Sequence, residues 1–528
     1  MLKKSKDINL NYAAKVCRID AIEPIAGADR IVNAILGNDK AIVPRDMKVG
    51  DIVIFFPCET VICDEYLSHH NLYDDFAKNS NAEVYRQLRD DIAILQADKV
   101  HDNSVEITTA LERLKKMKGF FNKTGRVRML KLRGEYSLGY VTSVRTLEDV
   151  WPELKSVIWS HHLNEQFDMV GNKRICWKYV PQSRMRREPK EYDMPWYKRS
   201  MRRLKKFDRL VPGQFAFHYD TGKLADNMQF FNPWDEIDVT VKVHGTSVII
   251  SNILTNKKLS LWEKIKKFFG GRVTEYVYDI IYSSRRVIKN RYINPYSRNN
   301  YYSTDIHGCV ARDFAKFIGP GMTVYGEIVG YCEGENTFIQ KDHDYGCKPG
   351  CWKFMPYRIT ETDMNGKVRE WEVKKVIDWT KEILAKCQAH FPELVDKLMP
   401  MTLLYHGRAG DMYDQLYVQV ATELSEKEYE REKNEYPGNE LPWHLETPEN
   451  YVVHHWRTAW LDAMKHDKKM LLMECREPMC KNKVPREGIV IRKCHDPRAE
   501  AFKLKSAAHF HLEMMQHDAG ESDMEEES

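Results

Sequence analysis

A β-branched run that carries one lysine into a glycine turn is the feature that most restricts the fold of this chain. Residues 239–243 are all β-branched apart from Lys242. His244 and Gly245 come next, and an apolar run occupies 248–250. β-branched residues favour strands and glycine favours a bend, so the stretch predicts a strand, a tight bend and a second strand. Apolar surroundings desolvate a lysine, lower its pKa and make its amine a nucleophile. An edge-strand lysine that prevents aggregation is the structural alternative.

Length and charge narrow the class of protein. A chain of 528 residues predicts two or three domains, and 43% hydrophobic residues suffice for their cores. The net charge is only +4, but residues 184–206 are strongly basic, which indicates a polyanion site, or alternatively a solvated linker. The sequence lacks both a run of about 20 apolar residues and an apolar signal core. We therefore expect no membrane partner, a cytoplasmic location (or a nuclear or viral compartment), and a monomer with its twelve cysteines reduced.

The first part of the chain alternates short β-rich runs with turn signals. Runs at 14–19, 31–36, 40–44 and 52–56, followed by a later β stretch at 125–141, predict a small barrel of the OB type. Arginine and lysine alternate with apolar residues in that later stretch, which suits a strand with one basic face. Such barrels commonly bind single-stranded nucleic acid, and a purely structural barrel is the alternative.

The predicted fold class is α+β, with antiparallel sheets and helices in four segments. An OB-type nucleic-acid-binding module is predicted at 1–149, with a helical insertion at about 70–118. A basic connector follows at 150–235. A catalytic domain is predicted at 236–512, with a helical insertion at about 361–475, and an acidic disordered tail at 513–528.

Charged residues recur on the β runs of the catalytic domain in an order that suits nucleotidyl transfer: Lys242, Glu327, Glu487, Lys503 and Lys505. An attacking amine must be neutral, and nearby cations disfavour its protonated form. A triphosphate and its leaving pyrophosphate need cations to balance their charge. Carboxylates are hard oxygen ligands for a divalent metal. Lys503 and Lys505 are two positions apart on a strand and should point to one face.

These stretches resemble the motifs of the covalent nucleotidyltransferase superfamily of ligases and capping enzymes. Lys242-Val243-His244-Gly245 resembles the first motif in the form used by RNA ligases. The later motifs of the family are matched, in the family's order, by residues 282–285, 324–330, 487–492 and 502–505. Any one of these motifs is a weak signal, but five in order are a strong one.

The order of the domains also matters. Most ligases and capping enzymes carry an OB domain after the transferase domain, and too few residues follow Lys505 for such a domain. Residues 22–29 and 48–51 instead resemble the N-terminal OB module of Deinococcus-type RNA ligases. The resemblance thus implies a ligase-like nucleotidyltransferase domain, ATP-grasp-like in fold, preceded by an OB module.

The resemblance implies a role for each matching residue. Lys242 would form the lysyl–AMP bond, and Glu487 would bind or orient the Mg²⁺ or Mn²⁺ ion. The nucleotide, ATP, would be bound by His244, Gly245, Arg285, Glu327, Phe354, Glu487, Lys503 and Lys505. Phe354 would stack on adenine. Related ligases often have glutamate where this chain has Val241, which leaves the mode of adenine selection open.

The implied activity is ATP-dependent sealing of RNA 3′-OH and 5′-phosphate ends, at a nicked duplex or broken RNA, in RNA repair. A GTP-dependent mRNA capping guanylyltransferase, a DNA ligase and a non-catalytic RNA-binding protein are the alternatives. Two weaker sites remain outside this scheme. Cys347, Cys351, Cys475 and Cys480 have loose spacing for zinc and are interpreted as reduced thiols. His509 is interpreted as a surface residue.

Overall fold

A computed structural model describes residues 1–97, 104–116, 118–180, 209–218, 221–289, 304–435, 441–474, 476–496 and 500–518. The chain divides into two compact units. Unit 1 comprises Met1–Pro181 and Glu435–Leu441, and unit 2 comprises Gln182–Asn434 and Pro442–Ser528. The basic centre of the predicted connector (184–206), Cys475 and the end of the acidic tail lie outside the described residues. Among the described helices, none is long and apolar enough to cross a membrane.

Unit 1 is built mainly from short antiparallel strands. In chain order these are β1 (Leu2–Lys3), β2 (Ala14–Arg18), β3 (Ala21–Pro24), β4 (Ile31–Leu36), β5 (Asp39–Pro44), β6 (Ile52–Pro57), β7 (Thr60–Ile62), β8 (Leu130–Leu132), β9 (Glu135–Ser137), β10 (Gly139–Ser143), β11 (Gln166–Phe167), β12 (Met169–Val170), β13 (Lys173–Arg174) and β14 (Cys176–Lys178). Its helices are Asp64–His69, Glu83–Ala97, Ser104–Lys116 and Val144–Val150. Strands therefore occur at the predicted runs 14–19, 31–36, 40–44 and 52–56, and the described part of 70–118 contains the helices Glu83–Ala97 and Ser104–Lys116.

The strands of unit 1 form several small sheets. The largest has the order β10-β6-β2-β11, and a second has the order β3-β4-β5. Alternating side chains of both sheets, including Val16, Ala34 and Phe55, are buried in hydrophobic clusters. Leu154, Trp159 and Phe167 join one of these clusters, so the chain beyond residue 149 packs with the preceding strands. The described strands do not form one continuous closed barrel, so only mixed α+β architecture with antiparallel sheets is established for the predicted OB module.

The basic strand face predicted around residue 128 is wrong. Within residues 125–134, which carry the basic side chains of this stretch, only Leu130–Leu132 is a strand. Arg126 is 2% exposed, forms an ion pair with Glu59 and lies over the ring of Tyr179, 4.5 Å from its centroid. A buried guanidinium needs a carboxylate partner, and this arginine therefore has a structural contact in place of a free nucleic-acid-binding face.

Unit 2 contains two larger sheets. Its strands are β15 (Gly222–Lys223), β16 (Glu236–Lys242), β17 (Thr246–Asn256), β18 (Tyr276–Ser283), β19 (Ile288–Lys289), β20 (Met322–Gly330), β21 (Trp352–Thr362), β22 (Val368–Glu370), β23 (Leu403–Arg408), β24 (Gly488–Lys493) and β25 (Ala501–Lys505). One sheet has the order β15-β25-β24-β16-β23, and the other has the order β19-β18-β17-β20-β21-β22. Neighbouring strands are antiparallel except for the parallel pair β15 and β25.

The described part of unit 2 also contains α-helices. They are Leu261–Phe268, Ile306–Phe314, Val373–His390, Leu416–Glu423, Glu426–Glu435, Trp443–Glu446, Pro448–His466 and Ala507–Asp518. Val376 and Ile383 of the helix Val373–His390 pack in the same cluster as Phe354 of β21. Trp456 and Trp460 pack in a second cluster with Ile237 of β16. The apolar side chains of the helix Val373–His390 therefore serve core packing.

The sequence predicted a helical insertion at 361–475, but the structure shows that this segment is not purely helical. It also contributes β22 and β23, and β23 pairs with β16, the strand that ends at Lys242. Thr240 lies opposite Leu403, and Asp238 lies opposite His406. β23 satisfies the backbone groups along that edge of β16, which would otherwise need water or another chain.

The strand, bend and second strand predicted around Lys242 are confirmed. β16 ends at Lys242 and β17 begins at Thr246, but the two strands belong to different sheets. The bend at 243–245 therefore passes the chain from one sheet to the other. Lys242 is brought in this way to the line where the two sheets meet.

Candidate active site

Lys242 forms an ion pair with a buried carboxylate. Its Nζ lies 2.8 Å from Glu487 Oε2, and the two side chains are 19% and 1% exposed. The register explains the contact, because Lys242 lies opposite Gly488, the first residue of β24. Two residues that are 245 positions apart are thus neighbours across one antiparallel ladder.

A second lysine approaches the same carboxylate from β25. Lys505 lies opposite Gly488 on the other side of β24, and its Nζ lies 3.6 Å from Glu487 Oε1. The same ammonium is 3.3 Å from Glu513 Oε2 in the helix Ala507–Asp518. Burial raises the pKa of Glu487, but the charges of Lys242 and Lys505 outweigh burial and hold this pKa well below its usual range. Glu487 is therefore ionised at neutral pH and shared by two lysines.

Glu487 also fits the role of a metal ligand. Its Oε1 is buried and accepts no hydrogen bond within the described residues. A carboxylate oxygen of this kind can accept a bond from a hydrated divalent cation or ligate the cation directly. The fit is to Mg²⁺ or Mn²⁺, because the donor is a hard oxygen.

The six-stranded sheet supplies a second carboxylate, that of Glu327. Ser247 of β17 pairs with Glu327 of β20, and Ser247 Oγ donates a 3.2 Å hydrogen bond to Glu327 Oε2. Glu327 is 6% exposed. The preceding bend is held by Gln340, whose side chain donates to the carbonyl of Gly245 at 2.9 Å. The bend and the carboxylate are therefore part of one hydrogen-bonded frame.

Three buried histidines pack behind the lysine–glutamate pair. The ring of His244 lies 4.6 Å from that of His509 and 4.9 Å from that of His343, measured between centroids. Burial lowers the pKa of His343 to about 4 and that of His509 well below its usual range. Both rings are thus neutral at pH 7. The expectation that His509 is a surface residue is wrong, because its side chain is 1% exposed.

The backbone of His244 is anchored by a second buried group. Its N–H donates to Tyr345 Oη at 2.6 Å, and Tyr345 is 2% exposed. Asp344 beside it accepts hydrogen bonds from the backbone N–H groups of Lys481 and Asn482, at 3.0 and 2.9 Å. These contacts tie the loop after β20 to the segment that leads into Glu487. They hold both halves of the site in register.

A cleft opens between the two sheets beside Lys242, with a cavity volume of about 80 Å³. Its lining combines residues of both sheets with His218 and Thr221: Thr240, Val241, Lys242, Val243, Ser247, Glu327, Met355, Tyr357, Met401, Val490 and Arg492. Apolar side chains lie beside the charged groups of Lys242, Glu327 and Arg492 in this cleft.

The structure separates the nucleotide-binding residues predicted from the sequence into three groups. Lys242, His244, Glu487 and Lys505 are brought together, and Gly245, within the bend, lies against Glu327 of β20. Lys503 lies opposite Val490, on the same face of β25 as Lys505. Arg285 follows the end of β18. Lys503 and Arg285 are not among the described residues that line the cleft.

Phe354 does not occupy the predicted position. It is 1% exposed and packs against Phe314 in the hydrophobic core, with ring centroids 5.4 Å apart. Tyr357, three positions later on β21, lines the cleft instead. Side chains alternate along a strand, so residues three apart point to opposite faces.

Sequence reasoning missed His343, Tyr345 and Asp344 altogether. All three lie in a loop after β20 that has no periodic pattern. The stretch Asp342-His343-Asp344-Tyr345 does contain an unusual density of polar and titratable residues in a short loop. Such a cluster in a loop is the signal that could have identified it.

Gly245→Ala is expected to damage the site through contact with backbone. A Cβ atom there would lie 2.3 Å from the carbonyl oxygen of Ile328 and 2.8 Å from Glu327 Cγ. We expect the free energy of unfolding to fall by about 1–3 kcal/mol, as for other overpacked positions. Denaturant unfolding measures this change. Gly319→Ala is the matched control, because a Cβ atom at Gly319 meets nothing within 4 Å; equal loss in both variants would contradict the expectation.

Comparison with known proteins gives the following result. No protein-family model matches the sequence, and no curated protein matches it. Among solved structures, Naegleria gruberi RNA ligase with pyrophosphate is 13% identical, with a TM-score of 0.44, over 97% of this chain and 100% of that chain. A point mutant of the same ligase with AMP and Mn is 14% identical, with a TM-score of 0.45, over 95% of this chain and 98% of that chain. At these values the likeness assigns no role to any residue of this chain.

Proposed function

We propose that this protein is an ATP-dependent RNA ligase that seals 3′-OH and 5′-phosphate ends through a lysyl-AMP intermediate and acts in RNA repair. The observation that carries the proposal is the position of Lys242. It stands at the edge of a cleft between two sheets, 2.8 Å from Glu487, which Lys505 also approaches. An amine, two carboxylates and further cations are the groups that nucleotidyl transfer onto lysine requires.

The first step joins the lysine to the nucleotide. The Lys242 ammonium gives up a proton, and its Nζ attacks the α-phosphorus of ATP. The N–P bond forms as the bond between the α-phosphorus and the bridging oxygen breaks, and pyrophosphate leaves with the electron pair. Lys505 lies 3.6 Å from Glu487 and can balance phosphate charge beside the reacting atoms. A bound Mg²⁺ or Mn²⁺ ion would add further neutralisation of the phosphate oxygens.

Two further transfers complete the reaction. The 5′-phosphate of the RNA attacks the lysyl-AMP phosphorus, so that AMP moves to the RNA and Lys242 is released as a free amine. The 3′-OH of the second RNA end then attacks the activated 5′-phosphate, and AMP leaves with the electron pair of the broken bond. Neither step uses an oxidant or a reductant.

The remaining roles follow the motif resemblance, except for that of the aromatic residue. We propose that Glu327 and Arg285 contact the ribose, and that Lys503 and Lys505 hold phosphates. Tyr357 takes the adenine-stacking role first expected of Phe354, because Tyr357 lines the cleft. Val241 lines the same cleft and supplies an apolar contact where related ligases have glutamate.

Alanine substitution separates the two aromatic residues. Tyr357→Ala is expected to weaken ATP binding about tenfold, since base–aromatic stacking is worth about 1–3 kcal/mol. Phe354→Ala is expected to lower the free energy of unfolding by about 3 kcal/mol, because it empties a core position. Equilibrium binding of ATP and denaturant unfolding measure the two effects. If only Phe354→Ala weakened ATP binding, and did so without loss of stability, Phe354 and not Tyr357 would be the stacking residue.

We propose that unit 1 is an OB-type module that binds RNA. Two backbone hydrogen bonds support a barrel-like course: Asp20 N–H donates to Ile35 O, and Leu138 N–H donates to Lys40 O, both at 2.9 Å. The first connects the chain between β2 and β3 with β4. The second connects the turn before β10 with β5. The second bond links β5, an edge strand of the three-stranded sheet, to the chain beside β10, an edge strand of the four-stranded sheet, and the first extends the β3–β4 pairing towards β2.

A paired labelling and sealing experiment tests the function. The protein is incubated with α-labelled ATP or α-labelled GTP and a divalent metal, denatured, and inspected for covalent label. Nicked duplexes with RNA or DNA at the nick are then tested for sealing. We expect label from ATP and sealing of RNA. Label from GTP alone would indicate a capping enzyme, sealing of DNA alone would indicate a DNA ligase, and no label would indicate a non-catalytic RNA-binding protein.

A further inference from the structure

A second cluster of potential metal ligands lies in unit 2, on Lys242's own strand and on the chain of the two strands that pair with it. It consists of Asp238 on β16, His406 on β23 and Cys494, which directly follows β24. One ligand atom from each of the three residues lies within 4.8 Å of the other two. Asp238 is buried, whereas Cys494 and His406 are partly exposed, so an ion can reach the cluster from solvent.

The distances between the ligand atoms suit one shared ion. His406 Nδ1 lies 2.9 Å from Asp238 Oδ1, and Cys494 Sγ lies 3.2 Å from Asp238 Oδ2. Bond lengths of about 2.0–2.3 Å in a tetrahedral zinc site place neighbouring ligand atoms about 3.3–3.7 Å apart. Small side-chain movements, each of a few tenths of an ångström, would therefore open the cluster to tetrahedral coordination.

The second nitrogen of His406 provides an independent indication. His406 Nε2 lies 3.3 Å from Glu236 Oε1, at the start of the same strand as Asp238. A histidine that ligates a metal usually donates its other ring N–H to a carboxylate, which fixes the tautomer and orients the ring. In the metal-free protein Nδ1–H donates to Asp238 Oδ1; with a metal ion at Nδ1, the ring would carry its proton on Nε2, towards Glu236.

The position of the cysteine is also fixed by Glu236. The backbone N–H of Cys494 donates to the carbonyl oxygen of Glu236 at 2.8 Å. Glu236 therefore positions two of the three potential ligands, one through its side chain and one through its backbone. The backbone bond continues the β16–β24 ladder by one position beyond the pair of Ile237 and Lys493.

We propose that Asp238, His406 and Cys494 bind one divalent transition-metal ion of the zinc class, with water completing the coordination. Thiolate and imidazole ligands select zinc-like ions over Mg²⁺, which prefers oxygen. Binding releases the Cys494 thiol proton to solvent and forms the sulfur–metal bond. The ion would link β16, β23 and β24 and so brace the strand that ends at Lys242.

This site is distinct from the one proposed at Glu487. Asp238 precedes Lys242 by four residues on β16, a separation of about 13 Å along an extended strand. The ligand types also differ, since Glu487 offers a hard oxygen and Cys494 a soft sulfur. The two sites can therefore be probed separately, and the proposal does not depend on ligase activity.

Cobalt binding to the full-length protein tests the proposal. The protein is stripped of metal with a chelator and titrated with Co²⁺, and absorption is followed for the thiolate-to-cobalt charge-transfer band and the bands of tetrahedral Co²⁺. We expect one equivalent of Co²⁺ to produce both and Zn²⁺ to abolish them by displacement. Cys494→Ser should lose the charge-transfer band, and Glu236→Gln should weaken Co²⁺ binding about 10–100-fold.

The matched control is Cys351→Ser, which alters an exposed cysteine away from the cluster and should keep the band. Circular dichroism of each metal-free variant checks that it folds. His406→Gln tests a second proposed ligand, whose side chain is 43% exposed. The proposal is overturned by a wild-type protein without the band, or by a band that persists in folded Cys494→Ser. A band lost in Cys351→Ser but kept in Cys494→Ser would also overturn it, by assigning the ion to other cysteines.

Discussion

Lys242→Ala is expected to abolish covalent labelling of the protein by α-labelled ATP. The side chain supplies the atom proposed to bond to the α-phosphorus, and alanine has no amine to take its place. Removal of a nucleophile should lower the rate of labelling by a factor on the order of 10³ or more. Denaturing electrophoresis after incubation with labelled ATP and metal measures the label. Equal labelling of the wild type and the variant would contradict the proposed function.

Loss of label must be separated from loss of fold, because Lys242→Ala also leaves Glu487 without its nearest cation. Lys242→Arg makes this distinction. Arginine keeps a positive charge beside Glu487, but it stays protonated and cannot attack phosphorus. We expect Lys242→Arg to unfold at nearly the wild-type denaturant concentration and to take no label. Lys264→Ala, on an exposed helix, is the matched control and should label normally.

Glu487→Gln is expected to be the most destabilising conservative substitution in the site. The carboxylate is 1% exposed and has lysine ammonium groups 2.8 and 3.6 Å away. Breaking a buried ion pair by neutralising one partner typically costs about 3–5 kcal/mol. Because Lys242 is 19% exposed and keeps some water, we expect a loss of about 2–4 kcal/mol. Denaturant unfolding of unit 2 measures this loss, and activity should fall with it.

A double variant shows whether the loss comes from unpaired charge. Glu487→Gln combined with Lys242→Met removes the nearest cation together with the carboxylate. We expect the double variant to regain much of the lost stability, although it cannot react with ATP. If the double variant is as unstable as the sum of the two single variants, the lysine and the glutamate do not stabilise each other, and the expectation is wrong.

The contribution of Glu487 to stability should also depend on pH in one direction. The folded-state pKa of Glu487 lies below its usual value of about 4.3, so the folded protein favours the ionised form. Its contribution is complete above the unfolded pKa and is lost as the pH falls through the folded pKa. The stability difference between the wild type and Glu487→Gln should therefore be constant near neutrality and shrink below about pH 4.3. A difference that grew on acidification would contradict the low pKa.

Local patterns identified much of the catalytic domain. The run of β-branched residues predicted β16, and the order of Lys242, Glu327, Glu487 and Lys505 predicted a site that the tertiary structure largely assembles. Strand propensity and alternation act over a few residues, so the strands that hold these side chains can be recognised without any long-range information.

Which face of a strand is buried was harder to predict from the sequence than the strand itself. Phe354 and Tyr357 lie on one strand, and alternation places them on opposite faces without stating which face is buried. The answer depends on the helices that cover the sheet, since Phe354 packs against Phe314 of the helix Ile306–Phe314. Arg126 shows the same limit, because only the folded chain provides Glu59 as its buried partner.

The sequence by itself determined the strand–bend–strand around Lys242 and the list of charged residues available for chemistry, because both depend on neighbouring residue types. Tertiary structure alone decided that β16 and β17 enter different sheets, which opens the cleft at Lys242. It also decided that His244, His343 and His509 pack together and that Asp238 meets His406, 168 positions away. These contacts join distant segments through strand register and core packing, and no local preference specifies such a pairing.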